Sequence, residues 1–173
     1  MDVRSLLATV PQPGRLAWIG LRTERRGPMV TPQAAEAVPG RGLLGDRRAT
    51  RPRPDLRSKR QVTLLQAEHL PVVAALVGAD RIDPARLRRN LLVAGINLAA
   101  LGRRRFTIGE VDFETTGPCH PCSRMEEELG PGGYQAVRGH GGVTARVLTP
   151  GTVHVGDEVR LCPPGEGPLG TET

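Results

Sequence analysis

Two cysteines three residues apart stand in the chemically densest segment of the chain, Thr115-Thr116-Gly117-Pro118-Cys119-His120-Pro121-Cys122-Ser123-Arg124-Met125-Glu126. The segment follows a strand pattern and opens a helix pattern, with Cys122 at the helix start. A thiol there meets the positive end of the helix dipole and free backbone N–H groups, which favours the thiolate. Arg124 adds positive charge nearby. Thiolate is the form that binds a soft metal or attacks an electrophile, and Cys122 is better placed for this than Cys119. Three other readings stand beside it. Cys-x-x-Cys is half of a structural zinc site that His120, His140, His154 or Cys162 would complete, but no second pair has zinc-ribbon spacing. A thioredoxin-like redox pair wants a βαβ context, which is lacking here. Two inert, buried cysteines are the plain alternative; the flanking prolines, His120 and Arg124 speak against it. Cys119, Cys122 and Cys162 are the only cysteines, so no disulfide framework is available.

Arg138-Gly139-His140-Gly141-Gly142 is a second candidate. Its glycines let a backbone approach a ligand closely, and His140 has the chemistry of an acid/base or a substrate contact. A tight turn between strands explains the same residues. His69, near a helix start, and His154, in a strand, read as structural.

The net charge is +6 and the basic residues are nearly all arginine, Lys59 being the only lysine. Such a balance invites a nucleic-acid partner, because cations neutralise phosphates. Aromatics are 2% of the chain (Trp18, Phe106, Phe113, Tyr134), leaving little from which to build a base-stacking surface. The composition therefore speaks against nucleic acid as a partner. No apolar run approaches the roughly 18 residues of a membrane span, and the N-terminus does not resemble a signal peptide. The expectation is a cytoplasmic protein with no membrane partner.

The elements that must position these residues are mostly short strands. Residues 1–14 read as a loose lead-in ending in Pro11-Gln12-Pro13-Gly14, residues 15–162 as one domain, and 163–173 as a flexible Pro/Gly-rich tail. Leu16–Leu21, a strand from Met29 after a Gly27-Pro28 turn, and Gln61–Leu65 read as strands. Residues 39–46 form a glycine-rich loop. Arg47 to Lys59, with Pro52 and Pro54, reads as a mobile surface loop able to close over an anion. Gln61–Leu65 runs straight into Gln66–Leu70, Pro71–Val77 is helical, Asp83-Pro84 opens a short Arg-rich helix, and Leu91–Ala94 is a buried strand. Residues 106–114 alternate about a Gly109 turn, 122–129 form a short helix, and 143–148, the Pro150-Gly151 turn and 153–161 make the closing strands. Many short strands with few helices point to a barrel.

The order of motifs resembles the MOSC domain family. It runs Gly42-Leu43-Leu44-Gly45-Asp46-Arg47, Arg60-Gln61-Val62-Thr63, Arg89-Asn90 and Gly95-Ile96-Asn97-Leu98. Gly109 with Val111, Gly117-Pro118-Cys119-x-x-Cys122, and Gly156-Asp157-Glu158-Val159 complete it. The resemblance spans about Arg15 to Leu161, and the Cys-Ser-Arg-Met-Glu-Glu and Gly-Gly-Tyr stretches are similar to a stand-alone bacterial branch. It implies a mostly β fold, a twisted MOSC-type β-barrel with a few short helices, holding the molybdenum cofactor (molybdopterin type). It makes Cys122 the metal ligand, with Cys119 and His140 as further catalytic candidates. Arg47, Arg60, Arg89 and Arg124 become candidates for the cofactor's phosphate, by bidentate donation. Asn90 and Asn97 are candidates for the pterin edge, and Ser123 for a backbone N–H donor. Asp46 either accepts from the pterin or pairs with a nearby arginine.

Relatives often read Gly-Asp-Arg-His where this chain has Arg48, so a histidine role does not carry over. Pyridoxal phosphate is associated with the wider family, in a separate domain with a Schiff-base lysine. It is not expected here, where Lys59 lacks a phosphate-cradling loop. Three cysteines cannot build a four-thiolate iron–sulfur site, so reducing electrons must come from a separate electron-donor protein. The implied activity is reduction of N-hydroxylated compounds at a Cys-ligated molybdenum. The alternatives are a sulfur carrier, with a Cys122 persulfide charged by a sulfur-donor protein, and a small basic barrel that binds nucleic acid.

Overall fold

A computed structural model describes residues 2–163. The alternating patterns become strands whose inward residues fill one core. In β1 (Gly14–Ile19) Leu16 and Ile19 are fully buried. In β8 (Arg105–Ile108) and β9 (Val111–Pro118) the buried positions alternate with half-buried ones, as period-2 side chains require. Phe106 and Phe113 face each other across this hairpin, with ring centroids 5.4 Å apart and planes 16° from parallel.

Among the described residues seven strands close into a barrel in the order β1, β12 (Glu158–Leu161), β8, β9, β10 (Val143–Val147), β6 (Val62–Gln66) and β7 (Leu91–Ala94). All neighbours are antiparallel except β6 and β7. A parallel pair needs a long crossover, and here it carries α2 (His69–Val77) and a 3-10 turn, Pro84–Leu87. Asp83 caps that turn by accepting from the Ala85 N–H at 2.9 Å. Closure removes the exposed strand edges that an open sheet would carry. Beside the barrel, β11 (Gly151–His154), β4 (Ala34–Val38) and β5 (Gly42–Leu43) form a small sheet, and β2 (Leu21–Arg22) pairs with β3 (Met29–Val30).

A second apolar cluster lies outside the barrel, where α2 meets α3 (Ser123–Leu129) and α4 (Gly133–Val137). Val73, Leu87, Met125 and Val137 are fully buried there. The Glu126 carboxylate of α3 accepts from the Gly132 and Tyr134 N–H groups at the start of α4, at 2.8 and 2.9 Å. Those donors hold the Glu126 carboxyl below its usual range.

Four expectations need correction. The lead-in contains a helix, α1 (Val3–Ala8), because Asp2 caps it by accepting from the Ser5 N–H. The loop at 39–46 is in part β5, paired with β4. β4 is missing from the sequence reading because Ala-Ala-Glu-Ala-Val is poor in strand-forming side chains; pairing with β11 makes it a strand. α4 fills the chain before Arg138, so the Arg138–Gly142 loop joins a helix to a strand and not two strands.

The 47–59 segment is a loop pinned at several points. Gln61, buried, donates to the Asp55 and Ser58 carbonyls and accepts from the Gly40 and Val147 N–H groups. Gly42 lies so close to Gln61 that a Cβ would strike its carbonyl, and its φ of +88° suits glycine alone. The tail expected at 163–173 lies, from residue 164 on, outside the described residues.

Candidate functional site

β9 ends at Pro118, and Pro118 and Pro121 keep the backbone extended until Cys122. Cys119 is buried, its N–H donating to the Gly142 carbonyl at 2.8 Å. Cys122 is exposed and is the residue from which α3 starts; its side chain makes no capping hydrogen bond. Ser123 is the first residue of the helix. The cysteines form no disulfide, and no three His, Cys, Asp or Glu side chains converge on a metal position among the described residues.

Behind the cysteines lies Arg89, only 3% exposed. Its Nε donates to the Gly141 carbonyl at 2.9 Å and its Nη1 to the Leu87 carbonyl at 2.8 Å. Its Nη2 is buried with no partner. Burial pulls the guanidinium below its ordinary value, and the charges acting on it are those of Cys119, Arg60, Cys122 and Arg22. Arg89 therefore stands between the two cysteines and a set of arginines. At Gly141 a Cβ would strike the Cys119 carbonyl and come within 3.1 Å of Arg89 Nη2.

The arginines line a cleft of about 190 Å³, walled by Arg22, Asp46, Arg47, Arg48, Arg51 and Arg60. Asp46 is its single acid and is fully engaged. It accepts from Arg22 Nε at 2.9 Å and Nη2 at 3.2 Å, from Asn90 Nδ2 at 2.9 Å, and from the Arg22 and Arg48 N–H groups at 3.0 Å. Burial alone would raise its carboxyl; the bonds and charge of Arg22 and the backbone donors outweigh that and hold it below the usual range. Asn90 is equally committed, donating to Gly20 as well and accepting from Thr63 and Arg22. With Asp46 already paired, the remaining arginines present a surplus of positive charge. Such a cleft binds an anion with several oxygens.

The model of the MOSC domain matches residues 43–160. The chain belongs to the MOSC domain family. That family is associated with molybdenum cofactor binding. Among solved structures, the YUAD protein of Bacillus subtilis superposes with a TM-score of 0.73 at 18% identity, over 88% of this chain and 98% of that one. YiiM of Geobacillus stearothermophilus gives 0.66 at 16%, over 90% and 78%. YiiM of Escherichia coli gives 0.64 at 18%, over 86% and 69%. At these identities the likeness shows the fold. No curated protein sequence matches the chain.

This MOSC barrel brings Arg47, Arg60 and Asp46, with Asn90 bonded to Asp46, together at the arginine cleft and sets Arg89 against the Cys119 turn that leads to Cys122 and Ser123, while Arg124, Asn97 and His140 make other contacts. Arg124 pairs with Glu127 at 2.7 Å and Glu128 at 2.6 Å on its own helix. Asn97 caps the 3-10 turn Leu98–Leu101 by accepting from the Ala99 N–H. The His140 ring meets His69 edge-on at 4.9 Å, and the Nδ1 atoms of both are buried without partners. Burial, then His140, lowers the pKa of His69. Arg22, Arg48 and Arg51 escaped notice as site residues. Arg22 carries no local signal, since its partner Asp46 lies in another hairpin; the 47–60 arginine run was visible, but not which of its members turn inward. No helix among the described residues is long and apolar enough to cross a membrane.

Proposed function

We propose that this MOSC domain binds a molybdenum–pterin cofactor with Cys122 as the thiolate ligand of the metal, and reduces N-hydroxylated compounds. The observation that carries the reading is Arg89 Nη2, a buried charged donor without an acceptor beside both cysteines. A buried donor left unpaired costs about 1–3 kcal/mol, more when charged, and an anionic group seated against it would recover that cost. The cofactor fits this need, because it brings a phosphate and anionic sulfur to one molecule. Arg47, Arg48, Arg51 and Arg60 would hold its phosphate, and Arg89 would face its anionic core. Asp46 and Asn90 keep Arg22 in place and touch no ligand themselves.

Bound there, the cofactor supplies two-electron oxygen-atom chemistry. The net reaction takes an N-hydroxylated compound, two electrons and two protons to the reduced nitrogen compound and water. Electrons would come from a separate donor protein. Cys122, exposed at the start of α3, leaves room for substrate beside it, and buried Cys119 keeps the turn tied to Gly142.

A second reading, a Cys122 persulfide serving as a sulfur carrier, is favoured by the same exposure. Molybdenum and pterin content per chain, in protein from a cofactor-producing host, separates the two. Wild type should hold both and Cys122→Ser should lose the molybdenum. Metal-free wild type that releases thiocyanate on cyanolysis would replace the reductase reading with the carrier.

A further inference from the structure

The parallel strands β6 and β7 have their amino ends at the arginine site, with Arg60 and Arg89 just before them. Gln66 at the carboxyl end of β6, Pro118 at the end of β9 and the Asn97–Arg103 segment that follows β7 line a different cavity of about 420 Å³. Leu98, Pro118 and Val143 contribute apolar walls, and Gln66, Asn97 and Arg103 the polar groups. The side-chain oxygens of Gln66 and Asn97 are spent on the Leu98 and Ala99 N–H groups, both at 3.0 Å. Their amide NH2 groups therefore remain as donors. Arg103 is exposed and has no acidic partner among the described residues. No aspartate or glutamate lines the cavity, and its volume is that of a small-molecule pocket.

The polar groups on offer are thus donors and one cation, set over an apolar floor. We infer that this cavity is a binding site for a small organic carboxylate with a flat or branched apolar body, its carboxylate on Arg103 and the two amides, its body on Leu98, Pro118 and Val143. Nothing in this assignment requires the cysteines. His69 borders the same space, and Arg103 is the one arginine or lysine side chain among the described residues that lines it. The cavity shares Pro118, Gly139 and Gly142 with the hollow lined by Cys119, which places a bound carboxylate one loop away from the thiols.

The test is calorimetric titration of the whole protein with 2-naphthoate, and with 2-naphthamide as the uncharged control. Saturable binding of the acid is expected, with the amide weaker by about tenfold or more, as loss of a charge-assisted contact implies. Arg103→Ala should weaken the acid to the level of the amide. Ala99→Trp, at an exposed wall position, should block both. Cys122→Ser should bind the acid as wild type does, whatever its molybdenum content, which separates this site from the reductase reading. Absence of saturable binding, equal affinity for acid and amide, or unchanged affinity in Arg103→Ala would overturn the assignment.

Discussion

Asp46 shows how one residue is chosen for its neighbours. A carboxylate 2% exposed would be costly alone, yet five donors meet it, two of them from the Arg22 guanidinium. Removing one member of a buried pair leaves the other uncompensated, at a cost of about 3–5 kcal/mol. Asp46→Ala should approach the lower end, since Arg22 is partly exposed at 20%, and urea denaturation measures it. Because the folded-state carboxyl is held below its ordinary value, its contribution is complete above the ordinary aspartate range. It fades as pH falls through the folded value. The stability gap between wild type and Asp46→Asn should therefore be constant near neutrality and narrow as pH falls below the ordinary aspartate range. A gap that widens on acidification would contradict this account. The arginine that pairs with Asp46 is distant Arg22 and not adjacent Arg47.

At the scale of the element, the Arg138–Gly142 loop carries a constraint that the motif hides. It joins α4 to β10 and lays its backbone against two neighbours at once. Gly142 has a φ of +81°, and a Cβ there would strike the Leu64 carbonyl, while its own carbonyl holds the Cys119 N–H. Gly142→Ala should cost about 1–3 kcal/mol from backbone strain, before any displacement of β6 is counted. It should also raise the reactivity of Cys119 toward a thiol reagent, since the turn loses its anchor. Denaturation and thiol modification, each against wild type, check the two effects. Gly139, with φ +82° but nothing within 4 Å, should show the strain alone.

For the whole molecule, the distribution of charge matters more than its total. The chain's net charge is +6, and four of its arginines, Arg47, Arg48, Arg51 and Arg60, share a cleft with one acid that is already paired with Arg22. Inorganic pyrophosphate, standing in for a phosphate-bearing ligand, should raise the thermal midpoint. Saturation at a hundred times Kd corresponds to about 2.7 kcal/mol. Sodium chloride at the same ionic strength should not reproduce the shift, and Arg51→Ala combined with Arg60→Ala should remove it. Equal shifts from both salts would make the cleft a diffuse positive surface with no specific anion site.

Much of this organisation was legible along the chain, and the reason is locality. Alternation over 106–114 and 143–148, the cap-and-proline signal at Asp83-Pro84, and the helix opening at Cys122 are set by neighbours a few residues apart. They appear in the structure where local rules put them. Motif order was enough to point to the MOSC family and its barrel. What stayed hidden depends on residues far apart in sequence. β4 is a strand because β11 pairs with it, and Arg22 is a site residue because Asp46 meets it. Arg89 has an orphaned donor because the Leu87 and Gly141 carbonyls take its other donors and burial leaves Nη2 without an acceptor. The cavity proposed for a carboxylate likewise joins the ends of β6 and β9 to the start of β10 and the Asn97–Arg103 segment. A linear pattern records which side chains are apolar or charged, but burial and unmet hydrogen bonds arise only when distant segments exclude water together, and that is decided by the closed barrel.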